Sequence, residues 1–114
     1  MLAGRYDITV EQGSTFNLSL VYKDQRGYVI DLSGYSAKMQ MRPSVSSSTV
    51  AMELSTANGR IAIEGTSGKI TLQITAADTA TLSGSGVYDL ELSNGAIVQR
   101  ILEGSYTVSP EVTR

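Results

Sequence analysis

The sequence predicts an all-β fold, an antiparallel β-sandwich of about eight or nine short strands with one short helical turn. Three observations predict it. Apolar and polar residues alternate at period two in several segments, glycine-bearing turn signals recur between those segments, and no stretch holds more than about two turns of helical preference. With 114 residues of which 41% are hydrophobic, the chain suits one domain spanning residues 1–114 around one core.

The alternation is clearest at Phe16, Leu18, Leu20 and Tyr22, where every second side chain is apolar. That is the pattern of a strand with one face in a core. It recurs at Tyr35, Ala37, Met39 and Met41, at Ile70, Leu72 and Ile74, and at Tyr88, Leu90 and Leu92 with Asp89 and Glu91 on the opposite face. Shorter strands are expected at Tyr6, Ile8 and Val10, at Val29 and Ile30, at Val50, Met52 and Leu54, and at Ile61 and Ile63. Two more are expected near the end, one over residues 96–102 and one over residues 106–108.

Turn signals separate these runs. Asn94-Gly95 between two alternating segments predicts a tight type I′ hairpin, because both central residues of that turn need positive φ. Residues 76–82, Ala-Ala-Asp-Thr-Ala-Thr-Leu, favour a helical turn too short to stand alone. Residues 43–49, a proline followed by a serine-rich polar stretch, are expected to form the longest exposed loop.

Composition narrows the function classes. Nine basic and eleven acidic residues give a net charge of −2 without runs of either sign, so no basic stripe exists to neutralise phosphates and nucleic acid is not an expected partner. No segment approaches the roughly 20 apolar residues of a membrane helix, and Met1 with no apolar leader behind it suggests synthesis in the cytoplasm. The chain has no Cys, which excludes disulfides and thiolate metal sites and leaves the redox compartment open. It also has no His, the commonest general base and metal ligand.

No nucleophile motif remains. Lys23, Lys38 and Lys69 lie in no Ser-x-x-Lys arrangement, and Gly84-Ser85-Gly86 reads as a turn. Gly65-Thr66-Ser67-Gly68 joins two expected strands and lacks the following helix of a phosphate loop. Asp89 and Glu91 could join another acid around a hard cation, but a solvated strand face that discourages edge association is the preferred reading. Met39 and Met41 read as core and not as an adaptable contact surface. The expectation is therefore a non-enzymatic chain with no cofactor and no metal.

Six tyrosines exceed what a small core needs, and tyrosine suits interfaces because it joins a large apolar ring to a hydroxyl. Tyr28 and Arg26, at the loop of residues 24–27, and Val45 and Val50, in and beside the serine-rich loop, are the candidate interface residues. Exposed Tyr28 also admits a carbohydrate-binding role, although the lack of Trp weakens an aromatic platform.

Residues 78–90, through Asp78-Thr79-Ala80 to Gly86-Val87-Tyr88-Asp89-Leu90, resemble the helical turn and following strand of immunoglobulin variable-type domains. There a Tyr two positions before the second Cys forms a corner with upstream backbone. The resemblance implies that Tyr88 is the corner residue and that Leu90 fills the place of the Cys with apolar surface, in an immunoglobulin-like sandwich. The Cys pair and the strand Trp of that family are absent.

A second resemblance covers most of the chain. Asp31-Leu-Ser-Gly-Tyr35, Lys38-Met-Gln-Met-Arg42-Pro43, Gly68-Lys-Ile-Thr-Leu72, Gly86-Val-Tyr-Asp-Leu-Glu-Leu92 and the closing residues 104–114 look like small structural proteins of tailed phages and prophages. They are also similar to the N-terminal domain of the upper baseplate proteins of lactococcal-type phages. This resemblance implies a virion protein made in the host cytoplasm, an adaptor of tail or baseplate or else a capsid decoration. Its partners would be other virion proteins in symmetric multiple copies, with a homo-oligomer among the options.

Overall fold

The computed structural model describes residues 4–113; Met1, on which the expectation of cytoplasmic synthesis rests, lies outside them. The strands are β1 (Gly4–Arg5), β2 (Ile8–Glu11), β3 (Phe16–Val21), β4 (Ser36–Arg42), β5 (Met52–Ser55), β6 (Ile61–Glu64), β7 (Lys69–Ile74), β8 (Ser85–Ser93) and β9 (Val98–Ser109). One four-residue helix, α1 (Ala76–Thr79), joins β7 to β8. The strands form two sheets, one ordered β1-β9-β8-β4-β5 with β2 also on β9, the other ordered β3-β7-β6. The predicted all-β immunoglobulin-like sandwich is the observed architecture, and hydrophobic residues of both sheets meet in one cluster.

The alternating segments become strands whose apolar side chains line that cluster. Met39, Met41, Leu54, Ile70, Leu72, Ile74 and Leu90 are fully enclosed. Residues of α1 continue the enclosure. Thr75 caps the helix by accepting from the Asp78 amide at 3.3 Å, as a short polar side chain does at a helix start. Thr79 is buried, and its hydroxyl donates to the Ser14 carbonyl at 2.8 Å while accepting from the Gly13 amide at 3.1 Å.

Four local expectations are corrected. The sandwich is not wholly antiparallel, because β1 and β2 run parallel to β9. Val29 and Ile30 form no strand; Val29 makes only an isolated bridge to Lys23. The longest connection is consequently residues 22–35, longer than residues 43–51. The last two expected strands are one continuous strand, β9, with a register shift opposite Leu90 and Glu91 that leaves Ile101 unpaired. This bulge moves the buried positions from Ile101 to Gly104, Tyr106 and Val108, so the alternation breaks in sequence although the strand does not.

The hairpin between β8 and β9 forms where Asn94-Gly95 predicts it, with a different turn. Ser93 pairs with Val98, giving a four-residue loop in which Gly95 has φ of +94° and no non-glycine residue has positive φ. Asn94 thus lacks the conformation of a type I′ turn. Its side chain accepts from the Ala96 and Ile97 amides at 3.2 and 2.9 Å, replacing the tight turn with an Asx-stabilised one.

Candidate functional site

The structure divides the four candidate interface residues between opposite ends of the sandwich. Tyr28 and Arg26 lie in the connection that leads into the start of β4, the end that also carries the β8–β9 loop. Asp24 shapes this connection by accepting from the Arg26 and Tyr28 amides at 2.9 and 3.0 Å, and Tyr28 projects with 67% exposure. Val45 and Val50 lie past the other end of β4, in residues 43–51. Val50 precedes β5 instead of belonging to it, and Val45 is 86% exposed. These four residues form no single site.

Val45 does border a continuous surface. The outer face of the six-stranded sheet holds a shallow depression of about 440 Å³, lined by Val45 together with Lys38, Arg42, Asp89, Arg100 and Glu103 among others. Strand alternation builds it: the core-facing Met39, Met41, Leu90 and Leu92 force Lys38, Gln40, Arg42, Asp89 and Glu91 outward.

The charges are locked to one another in two groups. Gln40 donates to Glu53 at 2.8 Å, Lys38 approaches the same carboxylate at 3.6 Å, and Arg42 donates to the Gln40 side-chain amide oxygen at 2.7 Å. Arg42 also donates to the Ser47 carbonyl at 2.7 Å, so the face is continuous with the loop that carries Val45. The Gln40 hydrogen bond, helped by Lys38, holds the Glu53 carboxyl below its ordinary range.

In the second group Asp89 and Glu103 stand directly opposite each other on β8 and β9, a like-charge pairing that destabilises a sheet when left alone. Arg100 lies between them, 3.3 Å from Asp89 and 3.5 Å from Glu103. Exposed ion pairs of this kind contribute only about 0–1 kcal/mol each. Their main consequence is a fixed pattern of charge on an open face, which suits specific docking. Among the described residues no group of three acidic side chains could hold a metal ion, and no helix is long and apolar enough to cross a membrane.

The two structural residues named from the sequence sit at the centre of this sheet. Leu90 is fully buried, paired with Met39 on one side and Leu102 on the other. Tyr88 is buried, and its hydroxyl donates to the Tyr6 carbonyl. That contact ties β8 to the connection between β1 and β2 and not to the helical turn. Gly104 stands opposite Tyr88, and a Cβ there would collide with the Tyr6 carbonyl, so glycine opens the path between them. Burial, reinforced by the negative charge of Asp7, pushes the Tyr88 phenol up to about 12. Asp7 is itself held below its ordinary range by accepting from the Ser105 amide at 2.9 Å.

Sequence reading missed Arg100, whose partners come from β8 and from its own strand across a bulge that the alternation hides. It also missed Ile97 at the end of the β8–β9 loop and Val98 at the start of β9, which are 55% and 66% exposed; apolar residues in a strand pattern carry no mark of exposure.

No family model and no curated protein matches the chain. Among solved structures, the extracellular domain of the voltage-gated sodium channel beta4 subunit is similar in fold, with a TM-score of 0.52 at 15% sequence identity over 98% of this chain and 97% of that one. That domain is described in parallel homodimers that explain its role in cell-cell adhesion.

Proposed function

We propose that this chain is a non-enzymatic structural domain of a tailed phage or prophage virion, an adaptor of tail or baseplate that docks on neighbouring subunits through the outer face of its six-stranded sheet. The observation that carries the docking face is the pair of charge groups on it, Lys38, Gln40, Arg42 and Glu53 in one and Asp89, Arg100 and Glu103 in the other. Side chains that already contact one another have less freedom left to lose on binding, which lowers the ordering cost of docking on this face. The virion setting is supported by the sequence resemblance, whose segments Lys38-Met-Gln-Met-Arg42 and Gly86-Val-Tyr-Asp-Leu-Glu-Leu92 form most of β4 and most of β8 and supply part of this face. Repetition around a symmetric particle would multiply a modest single contact.

The test is the copy number of the chain in purified particles of the phage that encodes it, measured by quantitative mass spectrometry against the major capsid protein. A small fixed number per particle is expected for a tail or baseplate part. Copies in proportion to the capsid protein would mean decoration, and none would overturn the virion reading. The face is tested separately with the charge swap Asp89→Arg with Arg100→Asp, which keeps an internal pair while inverting the outward pattern. Loss of incorporation by this folded variant is expected; normal incorporation would exclude the face.

A further inference from the structure

The two sheets have four margins, and three of them carry charge. The β1 and β2 margin has Arg5 and Glu11, β5 has Glu53, and β6 has Glu64. The fourth margin is β3, Phe-Asn-Leu-Ser-Leu-Val, six residues without a charge, a proline, a glycine or a bulge. Proteins ordinarily protect an exposed sheet edge with one of those devices, because its unpaired backbone groups can template another strand.

The free side of β3 is defined by its ladder with β7. The Tyr22 amide, in register just past the strand, donates to the Gly68 carbonyl at 2.8 Å. Antiparallel backbone groups alternate sides, so the even-numbered residues face β7 while Asn17, Ser19 and Val21 turn their N–H and C=O groups away from it. Among the described residues no strand pairs with that side.

The side chains show the same vacancy. Phe16, Leu18 and Leu20 point toward the core yet remain only half-buried, whereas their β7 partners Ile74, Leu72 and Ile70 are completely enclosed. Beside them a cleft of about 300 Å³ runs between β2 and β3, lined by Tyr6, Ile8, Phe16 and Leu18 among others.

We propose that the occupant of this margin is a second copy of the same chain, joined by antiparallel pairing of β3 with β3 about a two-fold axis. A two-fold contact brings a surface against itself, and β3, the one margin of the four whose strand carries no charge, opposes no like charges in any register. In the register centred on Ser19, Ser19 faces its own copy and Asn17 faces Val21 of the other chain. All three free donors and all three free acceptors of each margin are then satisfied. Side-chain parity is preserved in the same register: Leu18 meets Leu20 and Phe16 meets Tyr22, both on the core side. The result is a single sheet running β6-β7-β3 through one copy and back through the other. The charged face of the larger sheet remains free on each copy, so the dimer would present two docking faces. This inference does not depend on the virion setting.

The test is sedimentation equilibrium of the full chain over a wide concentration range, with Ser19→Lys and Ser19→Pro as variants. Ser19→Lys places two ammonium groups against each other at the axis, and Ser19→Pro removes an amide that the fold's own ladder does not use. A concentration-dependent dimer is expected for the natural chain, with both variants monomeric and retaining its circular dichroism; if the proline variant does not fold, the lysine variant decides. Amide exchange should show Asn17, Ser19 and Val21 protected in the dimer and open in the variants. A natural chain that stays monomeric throughout, or a dimer that survives both folded variants, would overturn the proposal. So would protection of those amides in the monomer, which would assign the margin to a segment of the chain itself.

Discussion

Strands β3 and β8 carry the same sequence signal and occupy different physical situations. In both, every second residue is apolar, yet Tyr88, Leu90 and Leu92 of β8 are 4%, 0% and 1% exposed while Phe16, Leu18 and Leu20 of β3 are half-buried. The difference lies in their neighbours: β8 is flanked by β4 and β9, whereas β3 has β7 alone. Alternation therefore reports which face of a strand is apolar and is silent about how many strands lie beside it.

The sharpest way to break this comparison is a matched pair of truncations. Leu90→Ala is expected to cost about 3 kcal/mol, the usual consequence of emptying a fully packed site. Leu18→Ala is expected to cost about 1.5 kcal/mol, because part of the side chain already meets solvent. Urea unfolding of both at low protein concentration checks the ordering. Equal costs would mean that β3 is covered in solution. If β3 pairs with its copy, the Leu18→Ala cost should grow as the concentration is raised, since the dimer encloses that side chain and mass action links assembly to stability.

A smaller effect belongs to Tyr88. Tyr88→Phe removes the hydroxyl's bond to the Tyr6 carbonyl and is expected to cost about 1 kcal/mol, with an unchanged denaturant slope. Its pH dependence sharpens the point. The phenol titrates at about 12 in the folded chain against 10 when unfolded, so burial favours the neutral form. The stabilisation it reports is complete below pH 10 and disappears as the pH rises through about 12. Thermal unfolding between those values should fall steeply for the natural chain and less steeply for Tyr88→Phe.

The smallest expected effect concerns the β5 margin, which is strapped where β3 is open. Arg60 donates to the Glu53 carbonyl at 2.9 Å and to Asp78 of α1 at 2.8 Å, joining that margin to the helical turn. The Arg60 hydrogen bond holds the Asp78 carboxyl below its ordinary range. Its contribution is present above the unfolded carboxylate pKa of about 4 and is lost as the pH falls through the lower folded value. Asp78→Asn should lower Tm slightly at neutral pH and flatten the acid side of the stability profile. An unchanged acid slope would remove Asp78 from the strap.

The candidate face was legible only in halves. Lys38, Gln40, Arg42, Asp89 and Glu91 could be assigned to outer faces from the residues between them, but their meeting with Glu53 and Arg100 depends on strand order. Tyr28 was legible as exposed from the Asp24 to Gly27 turn beside it. Its separation from Val45 was not, because the direction of β4 decides which end of the sandwich each loop reaches.

By itself the sequence determined the fold class, the faces of the main strands, the helical turn near Thr75, the place of the β8–β9 hairpin and the enclosure of Leu90. Each of these follows from residue order over a few positions, where side-chain alternation and turn chemistry act. Only the tertiary structure decided that β1 and β2 run parallel to β9, that Ile101 bulges, that Tyr88 reaches Tyr6 across 82 positions, and that β3 has an open side. Those features are set by backbone pairing and packing between residues far apart in the chain, and local periodicity records no partner.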